Sequence, residues 1–132
     1  MTVTLPVLTV RQPYASLIMT GAKDVENRTW PTDHRGLVAI HAGRQWHRTG
    51  RADCERLGLE VPDDLPLGAV LGVVELVDVV RGSSSPWAAV DHWHWILANP
   101  VPLARPVPML GQLGLRALPA AMATRVRRAL AV

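Results

Sequence analysis

Val3, Leu5 and Val7 alternate with polar or small residues at the start of the chain, the period of a half-buried strand. Pro13 suits the first position of a helix, and Tyr14, Leu17 and Ile18 follow it as one apolar stripe at helical spacing. Gly21 stands where a left-handed cap would close that helix. A short strand is expected over roughly Asp24–Trp30, then polar turn residues from Pro31 to Arg35, and a mostly buried strand in "GLVAIHA", Gly36 to Ala42. The polar run that follows predicts a helix in its C-terminal half, ended by Gly58, with Trp46, Cys54 and Leu57 spaced through the segment. "GAVLGVVELVDVV", Gly68 to Val80, is valine-rich and uninterrupted, the pattern of a central strand. "HWHWIL", His92 to Leu97, alternates as another strand, and "PVPLARPVPM" reads either as an extended or polyproline-like edge crossing or as a peptide that docks a protein partner. The chain closes in an amphipathic helix with Arg125, Arg127 and Arg128 near its end, where cations suit the helix dipole.

About five or six short strands with two or three helices between them predict an α+β fold, a mixed β-barrel closed or nearly closed to protect its strand edges. The 132 residues, 48% hydrophobic, suffice for one core and not comfortably for two, so a single domain over residues 1–132 is expected. Cys54 is the lone cysteine, which excludes an intrachain disulfide and makes the cytoplasm the default compartment. The N-terminal stretch lacks a basic flank, and no run is long and apolar enough to span a bilayer, so no membrane association is expected. Fourteen Lys and Arg against eleven Asp and Glu, with a pI near 10.0, tilt the protein towards anionic partners. No long basic run exists, so folding must gather the positive charge.

The densest candidate chemistry is "GAKDVENRTW", residues 21–30. On a strand, Asp24, Glu26, Arg28 and Trp30 share one face and Val25, Asn27 and Thr29 the other. Lys23 sits in the corner before the strand, where its ammonium can join Glu26 and Arg28. Two cations and one carboxylate can hold a phosphate, with Glu26 orienting them or accepting a proton, and Trp30 offers a stacking surface for a base. The alternative is an ordinary Glu26–Arg28 pair with Lys23 solvating a turn. Glu75 interrupts a strand face of Ala69, Leu71, Val73, Val77 and Val79, so it should have a partner such as Arg28 or Arg11, or else serve as a general base. His92 and His94 share a face, and His41 and His47 lie elsewhere in the chain, but no acid or thiol stands at a diagnostic metal-ligand spacing; neither metal nor cofactor is expected. Trp93 and Trp95 belong to a core-facing or edge-covering side, and Cys54 to a small buried thiol. P-loop and nucleophile-elbow motifs are absent.

"GAKDVENRTW" resembles the G-x-K-x-x-E-x-R signature of the ASCH (activating signal cointegrator homology) domains. "RQPYASLIMTG", "RGLVAIHAG", "PLGAVLGVVELVDV" and "WHWILANPVPL" flank it in the family's order, so the resemblance covers nearly the whole chain. It implies a PUA-like β-barrel with a cleft between the first helix and the barrel, suited to RNA, other nucleic acid, or a modified nucleoside or nucleotide. By the match, Gly21, Lys23, Glu26 and Arg28 would be its signature residues; Gln12 and Pro13 match the segment leading into the helix, and Gln12, Tyr14 and Trp30 would line the cleft. Some small ASCH proteins are amidohydrolases on N4-acylated cytidine that use a threonine at the signature's acidic position, and others are ribonucleases. Glu26 occupies that position here, which removes the amidohydrolase nucleophile. A hydrolase using Lys23 and Glu26, with Glu75 as a further candidate, and a protein-interaction adaptor are the alternatives to binding.

Overall fold

In the computed structural model, residues 4–130 are described, and Val3 of the expected first strand lies outside them. The elements run β1 (Pro6–Gln12), α1 (Tyr14–Thr20), β2 (Val25–Arg28), β3 (Gly36–Trp46), α2 (Gly50–Arg56), β4 (Ala69–Val80), β5 (Trp93–Pro108), β6 (Leu115–Ala117) and α3 (Ala120–Leu130). The six strands form one mixed sheet in the order β2-β5-β4-β3-β1-β6. Among the described residues only β1 and β3 pair in parallel, which requires the crossover that α1 and β2 supply.

The sheet curls without closing through a backbone ladder. Its near closure is made instead by a side chain: Arg28 Nη2 on β2 donates to the Thr9 carbonyl on β1 at 2.8 Å. Inside the curl, Leu8, Ile18, Ile40, Leu76 and Trp95 pack as one core, with α1 as the plug. A second core joins β1, β4 and the far half of β5 to α3 through Val7, Val70, Leu103 and Val126.

Gly21 caps α1 with φ +83°, its N–H bonded to the Ile18 carbonyl, as the sequence pattern required. Two expectations change. β2 is shorter than Asp24–Trp30, because Trp30 leaves the ladder to pack edge-to-face on Trp95, ring centroids 4.9 Å apart. The proline-spaced segment is not a free docking peptide. It is the second half of β5, paired with β4 from Pro102 opposite Gly72 to Pro108 opposite Ala69, with Leu103 and Val107 buried. A Cβ on Gly72 would lie 2.4 Å from the Val101 carbonyl and 2.6 Å from Met19 Sδ, so only glycine lets β4, β5 and α1 approach this closely.

Irregular register in β4 splits the apolar face assigned to Glu75. The ladder slips between Val70 and Gly72, so Leu71 faces the same core as Val74 and Leu76 and the alternation reverses. Glu75 keeps the face of Val73 and Val77, but that face is open here, with Val77 and the opposing Leu37 both exposed, so Glu75 sits half-buried and accepts a bond from Asn99 Nδ2 at 2.9 Å. Neither Arg28 nor Arg11 is its partner, and it lies outside the cleft described below.

Candidate nucleotide-binding cleft

The corner after α1 is built by backbone bonds: Gly21 N–H goes to Ile18 and Lys23 N–H to Leu17. That turn folds the Lys23 side chain inward, where it is 3% exposed and its ammonium donates to the Val25 carbonyl and, at 3.1 Å, to Glu26 Oε1. The other oxygen of Glu26 receives Arg28 Nε at 3.1 Å and Nη2 at 2.8 Å. Burial acts to raise the Glu26 pKa; the charges of Lys23 and Arg28 and their hydrogen bonds outweigh it and hold the carboxyl below its usual value. Lys23 is further enclosed by aromatic faces, its ammonium 5.3 Å from the Tyr14 ring centroid and 5.6 Å from that of Trp87.

These groups form one wall of a cleft of about 700 Å³. The opposite wall comes from α2 and the residues before it. The Tyr14 hydroxyl donates to Asp53 Oδ2 and meets Thr49 Oγ1 at 3.2 Å; Thr49 Oγ1 lies 2.9 Å from His47 Nδ1; Arg56 pairs with Asp53 at 3.3 Å. Burial first, and the Asp53 carboxylate second, push the Tyr14 phenol up to about 12. This wall closes on α1 because Gly50 lies against Pro13, with a Cβ there only 2.3 Å from Pro13 Cδ. Asn27 fastens the third side, donating to the Trp87 carbonyl at 2.8 Å and accepting from Ala89 N–H at 2.9 Å.

Four permanent cations, Arg11, Lys23, Arg28 and Arg56, thus surround the cleft against two carboxylates, Glu26 and Asp53. Arg11 and Arg56 are exposed at the rim, and Arg28, though 23% exposed and bonded through Nε and Nη2, keeps an Nη1 that has no acceptor among the described residues. The surplus suits an anion, and the Tyr14 and His47 rings suit a flat group beside it.

Of the residues singled out in the sequence, Lys23, Glu26, Arg28 and Tyr14 meet in this cleft. Gln12, Gly21, Trp30 and Glu75 do not. Gln12 is fully buried: its Nε2 donates to Ser16 Oγ and to the Pro66 carbonyl, each at 2.8 Å, and its Oε1 accepts from Ser16 N–H, so the amide braces the start of α1. Gly21 is an exposed cap and Trp30 a core-packing ring. His92 lines the cleft, whereas His94 is buried, its Nδ1 accepting from the Gly82 and Ser83 N–H groups and its Nε2 meeting the Ala89 carbonyl at 2.7 Å. Those bonds assign the proton to Nε2. Among the described residues no three His, Cys, Asp or Glu side chains gather as a metal would need. Cys54 is buried, and burial raises its thiol pKa, so it packs rather than reacts. The residues missed were Arg11, Asn27, Thr49, Asp53, Arg56 and Trp87; Thr49, Asp53 and Arg56 do share one face at helical spacing, but nothing local ties that face to α1.

The ASCH domain family model matches residues 8–106. Activating signal cointegrator 1 from Homo sapiens and from Mus musculus are each 37% identical over 81 residues, which cover 54% of this chain and 14% of theirs. The chain thus matches a small part of those curated relatives. Crystal structures of the ASCH protein from Zymomonas mobilis superpose with a TM-score of 0.64 at 16% identity, covering 95% of this chain and 94% of that one; for a variant of it the coverage is 96% and 98%. Sequence and fold agree, and the chain belongs to the ASCH domain family.

Proposed function

We propose that the cleft binds an anionic nucleotide unit, within RNA or as a modified nucleoside phosphate. The observation that carries this reading is the surplus of four cations over two carboxylates around a concavity with aromatic walls. Arg28 meets the phosphate through Nη1, its Nε and Nη2 being held by Glu26 and Thr9, Arg11 and Arg56 add charge at the rim, and Tyr14 receives the base. Family membership favours the same partner class, and the lone buried thiol suits the cytoplasm.

Binding is favoured over hydrolysis by the state of Glu26. A carboxylate held below its usual pKa, with both oxygens already bonded, is a weak base and a poor nucleophile. Glu26 is better assigned to positioning Lys23 and Arg28. The test is fluorescence titration of a nucleoside monophosphate and of a short single-stranded RNA against salt. Arg28→Ala should weaken both and reduce the slope of log K on log salt by about one unit of phosphate contact. Affinity indifferent to salt and to Arg28 would refute the reading. Products from RNA or an N4-acylated cytidine, formed only with Lys23 and Glu26 intact, would replace it with the hydrolase.

A further inference from the structure

The charge of the chain is unevenly distributed. Residues 1–91 carry nine Lys and Arg against all eleven Asp and Glu, whereas residues 92–132 carry five Arg and no acid. The net positive charge therefore belongs to the C-terminal part, most of it away from the cleft. Three of those arginines converge: Arg105 on β5 and Arg125 and Arg128 on α3 flank a groove of about 480 Å³ floored by Pro106, Val107 and Ala129. All three are exposed, and among the described residues none of them has an ion pair or hydrogen bond. Paired guanidiniums such as Arg28 organise the fold; these are unspent.

We propose that this groove is a second nucleic-acid contact, which takes the sugar-phosphate backbone of a single strand while the cleft takes one nucleotide unit. It rests on the reading of the cleft for the class of ligand. Guanidinium forks match phosphate oxygens, and three of them along a shallow channel can follow successive phosphates while the apolar floor receives sugar faces. A lipid surface fits less well. The apolar face of α3, Ala123 and Val126, is buried against the sheet and cannot enter a bilayer. The groove lies at the end of β5 opposite the strand's pairing with β2, at most about 40 Å away at the rise of an extended chain, so one flexible strand can reach both.

Fluorescence anisotropy with a labelled single-stranded RNA of about 20 nucleotides, titrated across salt, tests the assignment. The variant Arg105→Ala, Arg125→Ala, Arg128→Ala should bind at least about tenfold more weakly, with the salt slope reduced by about two, as three single-strand contacts require. Its affinity for a nucleoside monophosphate should be unchanged, whereas Arg28→Ala should weaken the monophosphate. The corresponding triple lysine variant, which keeps both charge and fold, should retain most of the salt slope. A control with equal charge loss at Arg35, Arg51 and Arg116 should leave RNA affinity within about threefold of the parent, since charge distant from the contact is screened. The groove assignment fails if the first variant binds RNA like the parent, or if the control loses as much. It also fails if anionic vesicles bind the parent and RNA does not. Loss of monophosphate binding in Arg28→Ala beside intact RNA binding in the triple variant would leave the cleft reading standing and remove this one.

Discussion

Two ends of this molecule carry positive charge, and they hold it differently. At the cleft, Lys23 and Arg28 are bound to a carboxylate, to backbone carbonyls and to each other's neighbours. At the groove beside α3, Arg105, Arg125 and Arg128 stand exposed on an acid-free segment. Charge that is paired and buried fixes geometry and selects; charge that is unpaired and exposed attracts at a distance and is screened by salt. Under the proposed function, the exposed charge would find a polyanion and the paired charge would read one unit of it.

The sharpest way to break that contrast is Glu26→Ala. It leaves a buried ammonium and a guanidinium facing each other, and should cost about 3–5 kcal/mol in chemical denaturation. The same carboxylate gives the pH dependence. Its folded pKa lies below the usual 4.5, so its stabilisation is complete above that value and is lost as pH falls through the folded pKa. Glu26→Gln should flatten that acid limb. Gly50→Ala comes next, at about 1–3 kcal/mol by thermal melting, because the methyl group drives α2 away from Pro13 and opens the wall that holds Tyr14.

Tyr14→Phe should cost about 1 kcal/mol through the lost bonds to Asp53 and Thr49. In the parent, the folded phenol ionises at about 12 rather than 10.0, so its stabilisation is intact below 10 and lost as pH rises towards 12. The phenylalanine variant should lack that alkaline limb. Smallest of all, alanine at Arg105, Arg125 or Arg128 should change stability by no more than about 0.5 kcal/mol, since none is paired in the described structure. A large loss at any of the three would mean that their charge is structural after all, and the contrast would dissolve.

Period and punctuation made most elements legible. The apolar stripe of α1, the Gly21 cap and the valine-rich β4 follow from local rules, and so does the meeting of Glu26 with Arg28, two residues apart on one strand face. Lys23 was legible as a corner residue able to turn inward. Glu75 needs no cationic partner because the second core ends beside it, where Leu37 and Val77 are exposed, and alternation alone does not show where a core ends. Gln12 looked like a cleft residue because it precedes the helix beside the site; its amide is spent on Ser16 and Pro66, partners four and 54 positions away. Trp30, by strand alternation a candidate stacking surface, packs edge-on against the buried Trp95 instead. The Tyr14, Thr49 and Asp53 wall depends on α2 closing over α1 through a glycine, a long-range fit that leaves no trace in spacing.

Proline at positions 100, 102, 106 and 108 has a bearing on solubility. The far half of β5 is laddered to β4 on one side and, among the described residues, to no strand on the other. A bare margin of that length would ordinarily invite a second molecule to zip on, but each ring deletes an amide hydrogen that such a guest would require. The protein can thus leave this cationic rim uncovered without templating its own fibrils.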